Sequence, residues 1–500
     1  MKKTKVAVGV VIALGVVWTA GAWFTGKQLE KNMDHFVQQA NAQIQNSAPE
    51  SRLKLSYQDF QRGIFSSHAR FVLQSSSQTE DNSLLKPGQS IIFSENIDHG
   101  PFPLAQLKKF NLIPSMASVH TELENTEAVK KLFEITKGKS IIQAETRIGY
   151  GGSTDSAITL LPADYSKPEA GERFAFDGGT LNISADGEGN KVDFSSDINS
   201  LVMSSRNELD MPVLVTLNGL KVDANTHLSP EGVRIGDQTI NLTKLTAAVD
   251  GKEAMVAEGL KGKSNFDSTN NRVSGLIDYT LDGLKLQGQS FGQGKLAIKL
   301  DGFDGKALKT FSETYNRQVQ ALTSDPALQE NPELYQQRVS ELLTQNVALL
   351  LKGSPSVSIA PFSWKNDKGE SSFNLNAQFK DPAATTAPAQ NLGQQVDSVL
   401  KSLDTTLTIS MPMATEMMTH VAMSEGYKQE DAAKLADQQV KGLAAMGQMF
   451  KLTTQKDNNI TTGLQYSTGQ VTMNGEKMPL EQFLSRYMLG GGIAPEGMPQ

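Results

Sequence analysis

The sequence predicts an α+β protein, with a mostly antiparallel curved β-sheet body, an inserted helical hairpin and C-terminal helices after one N-terminal transmembrane helix. Three observations support this prediction. An uncharged apolar run opens the chain, short alternating runs separated by turn residues follow it, and apolar residues at helical spacing return in later segments. With 38% hydrophobic residues and a net charge of -7, the composition fits a folded body rather than a disordered chain.

The first predicted element is a transmembrane anchor or signal segment at residues 6–24, with residues 1–5 in the cytoplasm. The run from Val6 to Phe24 carries no charge and as a helix would be ~28 Å long, close to the hydrocarbon thickness of a bilayer. Lysines before the run favour a cytoplasmic N-terminus, so we expect the rest of the chain to be exported. The alternative is cleavage near Ala22, where small residues resemble a signal-peptidase site.

A juxtamembrane helix is predicted at residues 27–48. Leu29, Met33, Phe36 and Ile44 recur there at helical spacing with polar residues between them. We expect this apolar face to pack on the following domain. The alternatives are contact with the membrane surface and pairing with a second copy in a homo-oligomer.

Residues 53–300 are predicted to form a β-rich domain. Their apolar residues alternate in short runs, as a strand with one buried face requires. Asn218-Gly219 is the strongest hairpin signal, because both residues tolerate the positive φ of a type I′ turn. We expect the Asp-Gly pairs that begin at Asp186, Asp250, Asp282 and Asp301 to form similar turns. A helical patch at residues 124–137 interrupts the strands.

Residues 301–380 are predicted to hold the helical hairpin and returning strands. The second helix of the hairpin begins at Asn331-Pro332-Glu333, which combines a cap, a preset φ and a favourable charge. Residues 381–389 form a small-residue linker or loop. An α/β C-terminal domain follows at residues 390–487, and we expect residues 488–500 to be a flexible tail.

The sequence contains no recognisable catalytic, metal or cofactor motif, so we predict no catalytic residue and no cofactor. The absence of cysteine removes disulfides and thiol nucleophiles. Glu416 and His420 lie one helical turn apart, but one pair does not make a zinc site. The mixed charges form no basic stripe, which argues against nucleic acid as a partner.

Four residues are candidates for binding rather than for catalysis. Arg62 and His99 are expected in turns on a rigid sheet, where proteins often meet their ligands. Met417 and Met418 lie in a methionine-rich region, since eleven of the 17 methionines fall between Met411 and Met498. Methionine fills irregular cores, but it also suits apolar surfaces that accept varied partners.

Several blocks resemble the YdgA family of uncharacterised bacterial envelope proteins, which also includes YihF. The first two blocks are YQDFQRGIFSS at residues 57–67 and NIDHGPF at residues 96–102. Similar blocks are FGQGK at residues 291–295, which leads to LDGF at residues 300–303, and VTMNG at residues 471–475. The resemblance implies a Gram-negative, inner-membrane-anchored, periplasmic protein of unknown activity, and it supplies no catalytic residues.

These observations favour a non-enzymatic periplasmic protein that binds or scaffolds a lipid or another envelope component. An anchor before a long β-rich body is similar in architecture to the AsmA-like lipid-transfer proteins. A groove lined along one face by apolar residues over ~20 Å would favour the lipid. The alternatives are a membrane-tethered hydrolase with a dispersed active site, a structural homo-oligomer, and a soluble periplasmic form after cleavage.

Overall fold

A computed structural model of the chain describes residues 2–47, 52–76, 85–167, 171–207, 209–323, 328, 331–384 and 391–489. The chain divides into two compact units. Unit 1 comprises Met1–Pro212 and Thr216–His227, and unit 2 comprises Val213–Val215 and Leu228–Gln500. Residues 385–389 of the predicted linker and residues 490–500 of the predicted tail lie outside the described residues.

Unit 1 begins with one long helix, α1 (Lys2–Ser47), and continues as antiparallel strands with two short helices, α2 (Leu104–Lys108) and α3 (Lys130–Ile135). Across the described residues, no helix combines the length and the hydropathy that crossing a bilayer requires. The strands are β1 (Leu53–Arg62), β2 (Ser66–Ser75), β3 (Ser90–His99), β4 (Ala117–Leu123), β5 (Ile142–Ile148), β6 (Thr154–Leu160), β7 (Ala163–Lys167), β8 (Glu172–Phe176), β9 (Gly179–Ala185) and β10 (Lys191–Arg206).

The strands of unit 1 pair in the order β1-β2-β3-β4-β5-β6-β9-β10-β8-β7, and each of these pairings is antiparallel. Strand β11 (Pro212–Leu228) comes next in the chain and contributes residues to both units. Short connections join β1 to β2, β5 to β6 and β9 to β10, whereas α2 lies between β3 and β4 and α3 lies between β4 and β5.

Unit 2 contains a second antiparallel series, β12-β13-β14-β15-β16-β17-β18-β20-β21-β22, with β19 paired to β20. Both units therefore confirm the predicted class, a large antiparallel sheet with interspersed helices. The strands are β12 (Arg234–Val249), β13 (Lys252–Thr269), β14 (Arg272–Leu286), β15 (Gln289–Asp304), β16 (Ser356–Asn366), β17 (Gly369–Phe379), β18 (Leu400–Ser410), β19 (Thr454–Lys456), β20 (Asn459–Ser467), β21 (Gln470–Met473) and β22 (Glu476–Pro479).

Six α-helices are interspersed among the described strands of unit 2, together with a short 3-10 helix (Pro382–Ala384) and a π-helical turn (Ser485–Leu489). The two longest of the insertion, α4 and α5, contact each other, and the Asn346 side chain on α5 donates a 2.8 Å hydrogen bond to Gln318 on α4. The helices are α4 (Gly305–Thr323), α5 (Pro332–Leu351), α6 (Leu392–Val399), α7 (Met411–Ser424), α8 (Gln429–Met449) and α9 (Leu480–Leu484).

The hairpin turn predicted at Asn218-Gly219 is wrong, because β11 continues through both residues. Gly219 has a φ of +65° there. A glycine with positive φ forms a bulge inside a strand as readily as a turn between strands, and the local sequence does not distinguish the two. Asp282-Gly283 and Asp301-Gly302 likewise lie inside β14 and β15, whereas Asp250-Gly251 connects β12 to β13.

Helix α1 supplies part of the main core of unit 1. Its Leu29 and Met33 are 5% and 2% exposed and pack with Ala69, Ile97 and Ala117 of the sheet. The predicted packing of the helix face on the following domain is therefore confirmed at these positions. A second cluster, under α3, contains Leu123, Val129 and Phe133. In unit 2, the buried cluster near α9 is formed by Tyr466, Val471, Met478, Leu480 and Leu484.

Candidate functional site

Helix α1 contacts the two N-terminal blocks of the family resemblance and the strand residues just before the first block. We call these contacts of α1 with residues 55–102 the α1 collar. Tyr57 donates a 3.0 Å hydrogen bond to Asp34 on the helix. The Trp18 indole N–H donates to the Phe102 carbonyl oxygen at 3.1 Å. Further along the helix, the Asn41 amide exchanges hydrogen bonds of 2.8 and 2.7 Å with the backbone of Leu55. The collar therefore fixes α1 on the sheet at several points along its length.

Arg62 and His99, the first two candidate residues, both belong to the α1 collar. Arg62 forms a 2.9 Å ion pair with Glu30, and its guanidinium lies 5.9 Å from the centre of the Trp23 ring. His99 is 2% exposed. An added Cβ at Gly26 would lie only 2.4 Å from the His99 ring, so α1 approaches this histidine as closely as glycine allows. Both side chains contact the helix rather than an open cleft.

Ser67 and His99 form a buried serine–histidine pair, with 2.8 Å between Oγ and Nε2. The other ring nitrogen of His99 lies 3.1 Å from the Ile64 carbonyl oxygen, where a catalytic triad would hold a carboxylate. Burial is the main cause that lowers the pKa of His99, which favours the neutral ring. The pair therefore has the geometry of a structural hydrogen bond beneath α1.

Met417 and Met418, the other two candidates, lie on α7 in unit 2 and are half-buried. The same helix is anchored by Met413, which is 2% exposed and accepts a 3.3 Å hydrogen bond from the Ser371 hydroxyl. Glu416 and His420 also lie on this helix and line one cavity. The methionine-rich region thus combines core packing with a wall of a surface groove.

One face of the unit 2 sheet is apolar across seven strands, and we call it the apolar face. A central row of register partners crosses β12 to β18, with no charged side chain in it. A neighbouring row lies on the same face, two residues away from the central row on most strands, and it is also uncharged. The central row is Ile240, Gly262, Tyr279, Leu296, Phe362, Phe373 and Leu407, and the neighbouring row is Gln238, Ser264, Ile277, Ile298, Ile359, Leu375 and Thr405.

The opposite face of the same strands is polar. Strand residues alternate between the two faces, so the residues one position beyond the neighbouring row lie on the opposite face. They are Asp237, Asn265, Leu276, Lys299, Ser358, Asn376 and Asp404. On the apolar face, by contrast, the large side chains Tyr279 and Phe362 are 42% and 47% exposed. An exposed apolar area that is continuous across many strands is typical of a binding surface.

A cavity of about 120 Å³ lies on the apolar face between Tyr279, Leu296, Phe362 and Trp364. The Trp364 indole N–H donates a 2.6 Å hydrogen bond to the Phe291 carbonyl oxygen. An added Cβ at Gly294 would be 2.6 Å from the Trp364 ring, so only glycine lets the ring approach β15 this closely. Phe291 and Gly294 belong to the third family block, which therefore shapes the floor of this cavity.

Sequence reasoning did not single out Tyr279, Phe362 or Trp364. The sequence does contain one signal for the apolar face, because alternate positions of these strands carry no charge. These positions form a continuous face only when the strands are aligned in register. The bulge between Ile359 and Phe362 hides it in β16, because one extra residue interrupts the alternation.

The comparisons with known proteins agree with the family resemblance. Residues 1–481 match the profile of a family described as "Bacterial protein of unknown function (DUF945)". Protein YdgA of Escherichia coli K12 is 48% identical over 491 residues, covering 98% of this chain and 97% of the relative. Uncharacterized protein YihF of the same strain is 29% identical, covering 96% of this chain and 98% of the relative.

A shorter match, 30% identical over 187 residues, is an uncharacterized protein of Haemophilus influenzae; it covers 37% of this chain and 48% of the relative. No solved structure matches this chain. The resemblance found in the sequence blocks is thus confirmed over nearly the whole length. The chain belongs to the DUF945 family of bacterial proteins of unknown function.

Proposed function

We propose that this protein is held at the inner membrane by its N-terminal helix and that the apolar face of unit 2 binds acyl chains of a lipid on the periplasmic side. The role is non-enzymatic binding or scaffolding. The observation that carries the proposal is the apolar face itself, an uncharged surface with Tyr279 and Phe362 exposed. A neutral, apolar occupant suits such a surface, because any charged group placed there would lose its hydration without a partner.

The dimensions of the apolar face suit an extended hydrocarbon chain. The central row crosses six inter-strand spacings of about 4.8 Å, or ~29 Å in all. Burying one methylene contributes about 0.8 kcal/mol, so ten buried methylenes would contribute about 8 kcal/mol before the cost of ordering the chain. The 120 Å³ cavity is smaller than a complete ligand site, so we infer that it receives only part of the occupant.

The proposed tether rests on the sequence of the first helix. The run from Val6 to Phe24 is uncharged and comes after three lysines, a pattern typical of a segment whose N-terminus stays in the cytoplasm. Trp23 and Lys27, at the end of this run, lie 5.2 Å apart from ring centre to ammonium. Aromatic and basic residues of this kind favour the boundary between membrane and water. The α1 collar would then overlap the end of this run, because Trp18 contacts Phe102 and Ala22 is buried, so unit 1 packs against the last turns of the tether.

Fluorescence of Trp364 can test acyl-chain binding directly. The chain has three tryptophans, and the double variant Trp18→Phe/Trp23→Phe leaves Trp364 as the single reporter, with both changes in unit 1. Phospholipid with brominated acyl chains is added to the full chain in a non-ionic detergent. We expect saturable quenching of Trp364, because bromine quenches indole fluorescence only at contact.

A charge on each face provides the matched comparison. Phe362→Asp places a carboxylate on the apolar face. We expect it to raise the lipid concentration that gives half-maximal quenching at least 10-fold. Leu276→Asp makes the same kind of change at a residue that is 50% exposed on the polar face, and we expect no effect. Equal quenching by both variants, or none in the parent chain, would rule out the apolar face as the lipid site.

A further inference from the structure

A polar groove borders the apolar face where helix α7 crosses the hairpin ends of unit 2. Its larger part has a volume of about 750 Å³ and is lined by Lys368, Glu416 and His420, among others. A smaller part, of about 250 Å³, shares Glu416 and His420 and is also lined by Lys365 and Asn366. We call the two parts together the polar groove. Its size lies in the range of small-molecule sites.

The polar groove and the cavity of the apolar face are lined by residues two positions apart on the same strands. On β15, Gly294 lines the apolar cavity and Gly292 lines the groove. On β16, Trp364 lines the cavity and Asn366 lines the groove. Residues two positions apart face the same side of a sheet and lie about 6.6 Å apart. A single molecule with an apolar part and a polar part could therefore occupy both sites at once.

The charged groups of the polar groove include two cations and two anions without ion-pair partners. In the part of the chain that the structure describes, no ion pair involves Lys365, Lys368, Asp367 or Glu416. Other charges of the groove are already matched: Lys441 lies 2.8 Å from Asp437, and Lys261 lies 3.1 Å from Asp282. The groove can therefore offer two positive and two negative charges to a ligand.

Two buried polar atoms also lack partners. His420 Nδ1 and Asn366 Nδ2 are inaccessible to solvent and make no hydrogen bond within the described residues. An amide N–H is a donor, and an imidazole nitrogen donates or accepts according to its tautomer. Because unpaired buried polar atoms are costly, a ligand gains affinity if the side chains of His420 and Asn366 turn toward it and hydrogen-bond to it.

We propose that the polar groove binds the headgroup of a zwitterionic phospholipid that carries a phosphate and a primary ammonium, such as phosphatidylethanolamine. Lys365, Lys368 and Asn366 supply charge and a donor for the phosphate, and Glu416 and Asp367 accept from the ammonium. An anionic headgroup without an amine would leave both carboxylates unmatched. This inference rests on the proposed function, since it requires the acyl chains on the apolar face.

The test compares headgroups on identical brominated acyl chains, with the full chain carrying Trp18→Phe/Trp23→Phe and Trp364 as reporter. We expect phosphatidylethanolamine to bind about 10-fold more tightly than phosphatidylglycerol, which is about 1.4 kcal/mol. Phosphatidylcholine, whose ammonium cannot donate a hydrogen bond, should also bind more weakly than phosphatidylethanolamine.

Charge-neutralising variants test which residues bind the ammonium and which bind the phosphate. Glu416→Gln should reduce the preference for phosphatidylethanolamine over phosphatidylglycerol at least threefold, because it removes one acceptor for the ammonium. Lys365→Gln/Lys368→Gln should weaken both lipids about 10-fold. Lys299→Gln, on the polar face of the sheet, is the matched control and should change neither affinity.

The outcomes separate the two proposals. If Trp364 is quenched equally by all three lipids, or if Glu416→Gln leaves the preference unchanged, the headgroup site is wrong and the acyl-chain site stands. If no lipid quenches Trp364, the proposed function fails, and the headgroup site fails with it. Quenching that shows the expected order and responds to both sets of variants supports both.

Discussion

At the scale of single residues, Glu95 is a carboxyl group inside the sheet of unit 1. It is 8% exposed and accepts a 2.6 Å hydrogen bond from the Thr121 hydroxyl. Burial raises the pKa of Glu95 from 4.5 to about 7. The ionised form is disfavoured because the surrounding sheet replaces water, and this effect outweighs the hydrogen bond from Thr121 and the charge of His120, which both favour ionisation.

We predict that the stability of unit 1 falls as the pH rises from about 4.5 to about 7, the interval between the unfolded and folded pKa values of Glu95. In that interval the folded state keeps the proton that the unfolded state has lost, so the free energy of unfolding decreases with pH, by about 3 kcal/mol in total. Glu95→Gln removes this dependence, because its amide stays neutral and its carbonyl still accepts from Thr121.

Urea unfolding between pH 4.5 and 8.5 checks the Glu95 prediction. The variant Trp364→Phe leaves Trp18 and Trp23, both in unit 1, as the fluorescent reporters. Glu134→Gln, at an exposed position on α3, is the control and should keep the parental pH dependence. If the parent and Glu95→Gln change in parallel with pH, burial does not perturb Glu95 as described.

At the scale of elements, the closest packing in the α1 collar depends on Gly26. A side chain there meets the His99 ring, which the hydrogen bonds to Ser67 and Ile64 hold in place. Glycine is a poor helix former, so its presence in α1 costs about 1 kcal/mol relative to alanine. The close approach between helix and sheet offsets this cost by burying more of the helix face.

We predict that Gly26→Ala destabilises unit 1 by about 1 to 3 kcal/mol, because overpacking against His99 exceeds the gain in helix propensity. Gly442→Ala is the matched control on α8, where an added Cβ meets nothing within 4 Å, and it should stabilise unit 2 by up to about 1 kcal/mol. Denaturant unfolding with unit-specific tryptophan reporters measures both. A stabilising Gly26→Ala would mean that α1 does not pack this closely.

At the scale of the whole molecule, the first 24 residues determine the position of the chain relative to the membrane in our proposal. We predict that the protein isolated from membranes keeps its N-terminus, with an intact mass near 54.2 kDa. Cleavage near Ala22 would lower the mass by that of residues 1–22. If only the lighter form is found in membranes, the N-terminal anchor is not retained.

The direction of the chain can be tested separately. We predict that protease added to spheroplasts digests both units, because the lysines before the apolar run favour export of the residues beyond it. A cytoplasmic marker protein should remain intact in the same sample. Protection of both units from the protease would place them in the cytosol and contradict the periplasmic site for lipid.

The sequence by itself determined the class of the fold. Strands and turns leave patterns over a few neighbouring residues, the alternation of apolar with polar residues and the Gly- or Asp-containing turns, so these patterns can be read without knowledge of distant contacts. It also determined the family, through blocks such as residues 57–67. It predicted the turn at Asp250-Gly251 correctly and the one at Asn218-Gly219 wrongly, since a positive φ suits both a turn and a bulge. Which of the two forms depends on how far the flanking strands continue pairing.

Only the tertiary structure decided what the candidate residues contact. Arg62 and His99 were expected in exposed turns on the sheet. They end β1 and β3, where His99 is buried beneath α1 and Arg62 is exposed and pairs with Glu30 of that helix. The apolar face requires Ile240 and Leu407, far apart in the sequence, to stand in one row, and the polar groove requires α7 to cross the ends of β15 and β16. Such sites depend on strand register between distant segments, which no local pattern of residues encodes.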